Sequence, residues 1–381
     1  MPIQVVFLVV LLNMTAYRGS KVLVTLFAIE LGMPQLCIGA VVAVYSVAPV
    51  LLALYAGKLT DRLGVRVPMI AGSIGAGTAL LVPYVFPGMT ALFVSASLIG
   101  AAWVFYNVCV QNLVGILSNP ETRARNFSNY GLVMSGGSFF GPMISGFSID
   151  HFGHTQTYLY LGLIPFVTAT ILIAIRWVPR DLGKGQVTDE HAEFSSNLLS
   201  NRLLRRTLIT SAIILTGTDL FQFYMPIYGH AVGLSASAIG MILSTFAVAA
   251  FVVRVGMPTM VKRIGADRLL VASLFIGSAA YLVFPAFDQA LTLGLVAFVL
   301  GLGLGCSQPL SLMLIYDRAP PGRSGEALGL RLTLNNMMHI AIPLLFGSIG
   351  TMFGVVPVFL ANAAIMATGG VLSRTPRNVR K

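Results

Sequence analysis

The chain has 381 residues, of which 56% are hydrophobic and only 10% charged, with a mean hydropathy of +0.85. Soluble domains carry about 25% charged residues, so this composition excludes an ordinary soluble fold and points to an all-α polytopic membrane protein. The net charge of +11 does not argue for a nucleic-acid partner, because the basic residues fall in short stretches between apolar runs.

Twelve apolar runs approach or exceed the ~20 residues a helix needs to cross a bilayer. In chain order they cover 4–28, 36–56, 67–86, 90–115, 127–147, 155–175, 207–229, 236–256, 267–286, 290–315, 326–347 and 353–373. The first run is too long for a secretory leader core and lacks a small-residue cleavage site, so it is expected to be retained. Cys37, Cys109 and Cys306 lie in or beside apolar runs without metal-ligand spacing. Neither a disulfide framework nor a metal site is expected.

Charge fixes the expected orientation. Lys58, Arg62 and Arg66 follow the second run, Arg123 and Arg125 the fourth, and six basic residues occupy 176–206. Arg254, Lys262, Arg263 and Arg268 flank the loop after the eighth run, Arg318 and Arg323 the loop after the tenth, and four more lie in the tail. The opposite loops have no Lys or Arg, so both termini are expected in the cytoplasm. Only Arg18, Lys21 and Arg331 of the 24 basic residues escape this account.

The segment 176–206 reads as a cytoplasmic linker between two six-span bundles, 1–175 and 207–381. An internal repeat supports that division. A shift of 201 places Arg62 on Arg263 and Gly64 on Gly265. The same shift carries Arg18 to Asp219 and Asn107 to Gln308. Parallel repeats of this kind suit halves that rock about a central site.

The loop Gly57-Lys-Leu-Thr-Asp61-Arg62-Leu-Gly64-Val-Arg66 resembles the signature loop of the major facilitator superfamily. Met257 to Gly265 resembles its degenerate second copy. The resemblance covers the whole chain and implies two pseudo-symmetric six-helix bundles. It also implies a latch formed by Gly57, Asp61, Arg62, Gly64 and Arg66. Gly137, Gly141, Pro142 and Gly146 resemble the fifth-span packing motif of the family's drug/proton antiporters, which implies export. The span-4 arginine of many such antiporters is missing, because that region reads Trp103-Val-Phe-Tyr106-Asn107-Val-Cys-Val-Gln111. The first-span acid of some drug exporters is missing too.

A charge inside a span is costly and marks function by default. Arg18 and Lys21 share one face of the first span, with Tyr17 beside them. Asp219 and Gln222 share a face of the seventh, and Arg18 is expected to face Asp219, as a salt bridge or as a cargo contact. Asp219 is the one carboxylate deep in a span, and His339 is a deep imidazole, a residue type whose reference pKa is near neutral. These two are the candidate proton-coupling groups. Asn107, Gln111, Gln308, Arg331 and Asn335 add polar groups for cargo, although Arg331 also lies near enough to a span end to snorkel outward.

Cationic groups outnumber acids in this set, which favours an anion. The expected function is proton-coupled export of a small or amphipathic organic anion by alternating access. Uptake or exchange of the same class, broad drug export and a nontransporting receptor are the alternatives. The expected setting is a bacterial-type inner membrane, with lipid, the anion and protons as partners. No enzymatic constellation or cofactor is expected beyond a proton gradient, and a monomer should suffice.

Overall fold

The computed structural model describes residues 3–118, 120–174, 201–319 and 324–373. Side chains at 53, 54, 57, 58, 61, 62, 120–124, 127, 128, 316, 324–326, 328 and 329 fall outside the description. The linker expected at 176–206 is therefore described only from residue 201.

The described chain is helical: α1 (Ile3–Glu30), α2 (Gln35–Leu63), α3 (Arg66–Val85), α4 (Met89–Ile116), α5 (Pro120–Ala174), α6 (Arg202–Ala231), α7 (Ala236–Ile264), α8 (Ala266–Val283), α9 (Ala290–Leu304), α10 (Ser307–Arg318), α11 (Ser324–Phe353) and α12 (Val355–Leu372). A 3-10 turn, Phe284–Ala286, follows α8. Among the described residues, eleven helical stretches are apolar enough to cross a membrane, and one of them, Asn129–Ala174, runs for 46 residues. At 1.5 Å per residue that stretch measures roughly 69 Å, over twice the ~30 Å hydrocarbon layer. It holds two spans, divided at Gly153 (φ 77°, ψ 170°), and the total is twelve. Conversely, the tenth span comprises α9 and α10, which meet at Gly305 and Cys306.

Among the described residues, six glycines take positive φ: Gly32, Gly64, Gly153, Gly233, Gly265 and Gly354. They form three pairs separated by 201 residues. Gly64, Gly153, Gly265 and Gly354 combine positive φ with extended ψ, a region essentially closed to residues with a Cβ. The repeat is thus written into the turns as well as the spans.

In the first half α1 packs on α5, α3 on α4 and α5, and α2 on α4. In the second, α7 packs on α9, α8 on α9 and α12, and α6 on α10, α11 and α12. Contact between halves runs through α5·α7, α2·α11 and α1·α6.

The first two of these seams form a seal at the end away from the termini. A Cβ on Gly39 would lie 2.2 Å from the Pro343 carbonyl oxygen, and one on Gly240 2.4 Å from that of Pro142. Gly347 and Gly146 likewise face the carbonyls of Gln35 and Ala236, at 2.9 and 2.3 Å. Each contact in one seam has its counterpart 201 residues on in the other. Small residues bring membrane helices to backbone contact, where dispersion and weak polar contacts replace the hydrophobic drive. The caps follow the same symmetry with different chemistry. Asp150 accepts from the Ala236 and Ser237 amides at 2.9 and 2.8 Å, while Thr351 Oγ1 accepts only from Leu36 N, at 2.9 Å.

Candidate functional site: a polar cluster between the halves

Arg18 projects from α1 where α5 presses closest. A Cβ on Gly141 would lie 2.7 Å from the Thr15 carbonyl oxygen and 2.8 Å from Arg18 Cβ, and one on Gly137 would lie 2.5 Å from Met14 Cβ. These two glycines of the fifth-span motif therefore position the first helix, while Pro142 and Gly146 face α7. One short motif serves both the site and the seal.

Arg18 Nη1 donates to Gln222 Oε1 on α6 at 2.6 Å, and Arg18 Nε is buried without a hydrogen-bond partner. Asp219, one turn away on α6, pairs with His339 Nδ1 of α11. The expected facing of Arg18 and Asp219 is thus resolved into two neighbouring pairs, because Gln222 and His339 stand nearer to each charge. Arg18 and Lys21 still lie within electrostatic range of Asp219. Lys21 Nζ sits 5.1 Å above the Tyr17 ring and 5.7 Å from the Tyr45 ring, a cation–π cradle without a carboxylate. Tyr17 stacks on Trp103 at 4.2 Å and 12°, so the aromatic wall of the cluster comes from α1, α2 and α4.

The remaining candidates separate into two repeat-related pairs. In the first half Tyr130 OH donates to Asn107 Oδ1 at 3.0 Å. Shifted by 201, Arg331 Nη2 donates to Gln308 Oε1 at 2.5 Å and to Ser311 Oγ at 3.3 Å. Arg331 is 9% exposed, so it turns inward and does not snorkel. Its Nε and Asn335 Oδ1 are buried without hydrogen-bond partners. Gln111 is exposed.

Of the latch residues, Gly57, Asp61 and Arg62 lie outside the described side chains. Gly64 ends α2 at φ 75°. Arg66 Nη2 donates to the carbonyls of Leu172 and Ile173 at 3.4 and 3.0 Å. These are last-turn groups of α5, where a cation meets the negative end of the helix dipole. Both of these carbonyls belong to the same half as Arg66.

Orientation by loop charge overlooked Arg254. It is partly buried on α7, with Nε donating to the Gly305 carbonyl at 2.8 Å and Nη1 to Ser135 Oγ of α5 at 2.9 Å. Its signal was available, since residue 254 falls inside the apolar run 236–256 and a charge there requires a polar neighbour. Asp150 was also passed over, because it stands at a span end.

Sequence comparison agrees with this architecture. The model of the family described as Major Facilitator Superfamily matches residues 6–343, and again 207–381. The chain belongs to the Major Facilitator Superfamily. Multidrug resistance protein MdtG of Klebsiella pneumoniae is 22% identical over 327 residues, covering 83% of this chain and 78% of that protein. Among solved structures, the nucleoside transporter NupG superposes with a TM-score of 0.83 at 12% identity, covering 97% and 98% of the two chains. A peptide transporter POT in complex with sulfate superposes at 0.82 and 15%, covering 97% and 93%. This superfamily member is a multi-pass membrane transporter of small molecules and not an enzyme.

Proposed function

We propose that the chain is a secondary active exporter of small or amphipathic organic anions in the inner membrane, coupled to protons through Asp219 and His339. The observation that carries this reading is the balance of charge between the halves. Arg18 and Lys21 face Gln222 and aromatic rings, while the nearby carboxylate of Asp219 is engaged with His339. The cluster therefore presents positive charge with neutral company, in surroundings where an ion is strongly felt. The resemblance to multidrug resistance protein MdtG supports export. An inside-negative potential also favours anion exit, by about 2.3 kcal/mol per charge per 100 mV.

A second reading, uptake with protons, is supported by the sign of the electrostatics. Protonation of Asp219 removes the carboxylate that acts on Arg18 and Lys21, so it strengthens anion binding. Deprotonation restores a competing charge and favours release. Anion and proton then bind together, which suits movement in the same direction.

Proteoliposomes loaded with labelled benzenesulfonate, naphthalenesulfonate or decanesulfonate, which stay ionised and do not cross lipid as neutral acids, separate these readings. External acid accelerates loss of the internal anion if transport is exchange for protons, and accelerates entry if it is co-transport. Transport of organic cations to the exclusion of all three anions overturns the anion assignment. A rate indifferent to pH gradients of either sign overturns the coupling.

A further inference from the structure

We infer that Arg254 is a second cationic contact for the cargo, so that the bound anion bridges α1 and α7 and helps draw the two halves together. This inference rests on the anion reading above and adds to it a residue and a role.

Arg254 and Arg18 belong to opposite halves and converge on one stretch of α5: a Cβ on Gly141 would lie 2.8 Å from Arg18 Cβ, and Ser135, which accepts from Arg254, lies about 9 Å further along that helix. Each is held by neutral acceptors. Arg18 has Gln222, and Arg254 has the Gly305 carbonyl and Ser135. No ion pair involves either one among the described residues, and Asp219 is engaged with His339. Arg18 Nε is also buried without a hydrogen-bond partner. Two guanidinium groups held by neutral acceptors inside an apolar body repel each other, and that repulsion grows as the halves close.

A carboxylate, sulfonate or phosphate placed between them reverses the sign. It accepts charge-assisted hydrogen bonds from both forks and replaces a repulsion by two attractions. Closure about the cargo then becomes easier than closure of the empty cavity, which is what a carrier needs to avoid idle cycling.

The geometry at Arg254 suits a residue that can exchange partners. Its Nε is fixed at the junction of α9 and α10, where α7 approaches so closely that a Cβ on Gly305 would lie 2.4 Å from Ala250 Cα. Its Nη1 reaches across the seam to a serine hydroxyl. A neutral hydroxyl is a weaker partner for a guanidinium than an anion. An arriving anion can therefore take the fork from Ser135 while the Gly305 carbonyl keeps the side chain in place.

Titration calorimetry on purified full-length protein tests this with benzoate, 1-naphthoate and decanoate, each paired with its uncharged amide. R254Q and R18Q are expected to weaken carboxylate binding about tenfold or more and to leave amide binding unchanged. Their double variant should lose less than the product of the two, because one anion bridges both groups. R254K keeps the charge and loses the fork, and should stay within about threefold of the wild type. If R254Q weakens carboxylate and amide equally, Arg254 is only a packing clasp and the inference is overturned. Full carboxylate affinity in R254Q alongside a loss in R18Q also overturns it. If no carboxylate binds wild-type protein more tightly than its amide, the anion reading itself fails. Should R254Q not fold, Ser135→Ala gives the complementary result. Freed from its hydroxyl, Arg254 should bind carboxylates as tightly as wild type or more tightly, and weaker binding overturns the exchange of partners.

Discussion

The seal and the central cluster are built from the same repeat and treat it in opposite ways. In the seal, Gly39 against Pro343 is matched by Gly240 against Pro142, and Gly347 against Gln35 by Gly146 against Ala236. In the cluster, the positions equivalent to Arg18 and Lys21 hold Asp219 and Gln222, and the position equivalent to Tyr130 holds Arg331. A seam that must close needs only shape, and one shape serves twice. A cluster that gathers one sign of charge in one place cannot be an exact repeat, which would duplicate that charge in the other half. Asp150 and Thr351 stand between these cases, because they cap equivalent helices with one charged and one neutral group.

Breaking the shape of the seal should have the largest effect. Gly39→Val or Gly240→Val drives a branched side chain into a carbonyl that a Cβ alone would already meet at 2.2 or 2.4 Å. Overpacking of this kind costs roughly 1–3 kcal/mol or more. Spin labels on cysteines placed at Phe86 and Leu291, exposed on opposite halves, should report a wider separation in either variant. An unchanged separation would mean that the seal is not what holds this end shut.

Asp219→Asn tests the opposite claim, that the centre depends on charge. Its shape is nearly preserved and His339 keeps a polar partner, yet the response of anion flux to a pH gradient should fall about tenfold or more. Flux that still follows the gradient in this variant would move the coupling group elsewhere.

Gly141→Ala sharpens the comparison by joining the two regions. Its Cβ would meet the Thr15 carbonyl and Arg18 Cβ, displacing α1 at the point where Arg18 leaves it. Anion affinity should fall several-fold with every charge still present, and retained affinity would separate the motif from the site.

The smallest effects should come from the caps. Asp150→Ala leaves two α7 amides without an acceptor, at a cost of about 1 kcal/mol, whereas Thr351→Val leaves one and should cost about half as much. The same label pair should open further in the first variant than in the second. Equal opening would show that the charge on Asp150 adds nothing.

The spans were legible because apolar length is dictated by bilayer thickness, whatever the neighbours do. Gly64 and Gly265 disclose the repeat in the sequence itself, since a turn that requires positive φ leaves little choice of residue. Arg18, Lys21, Asp219 and His339 were visible as charges or titratable groups where charge is costly. Their partners were not visible. The repeat matches Arg18 to Asp219, but it relates positions and does not say which side chains touch. Arg254 blends into the loop-charge pattern, because a basic residue near a span end has the same one-dimensional signature whether it points to water or to Ser135.

Sequence alone thus determined the membrane setting, the twelve spans, the twofold repeat and the short list of intramembrane charges. Each of these follows from local chemistry: transfer of side chains into hydrocarbon, or backbone conformation at a single glycine. Tertiary structure alone decided that Arg18 meets Gln222, that Asp219 meets His339, and that Arg254 crosses from one half to the other. Hydrogen bonds act over about 3 Å, and which groups come within that distance depends on how helices remote in sequence pack together.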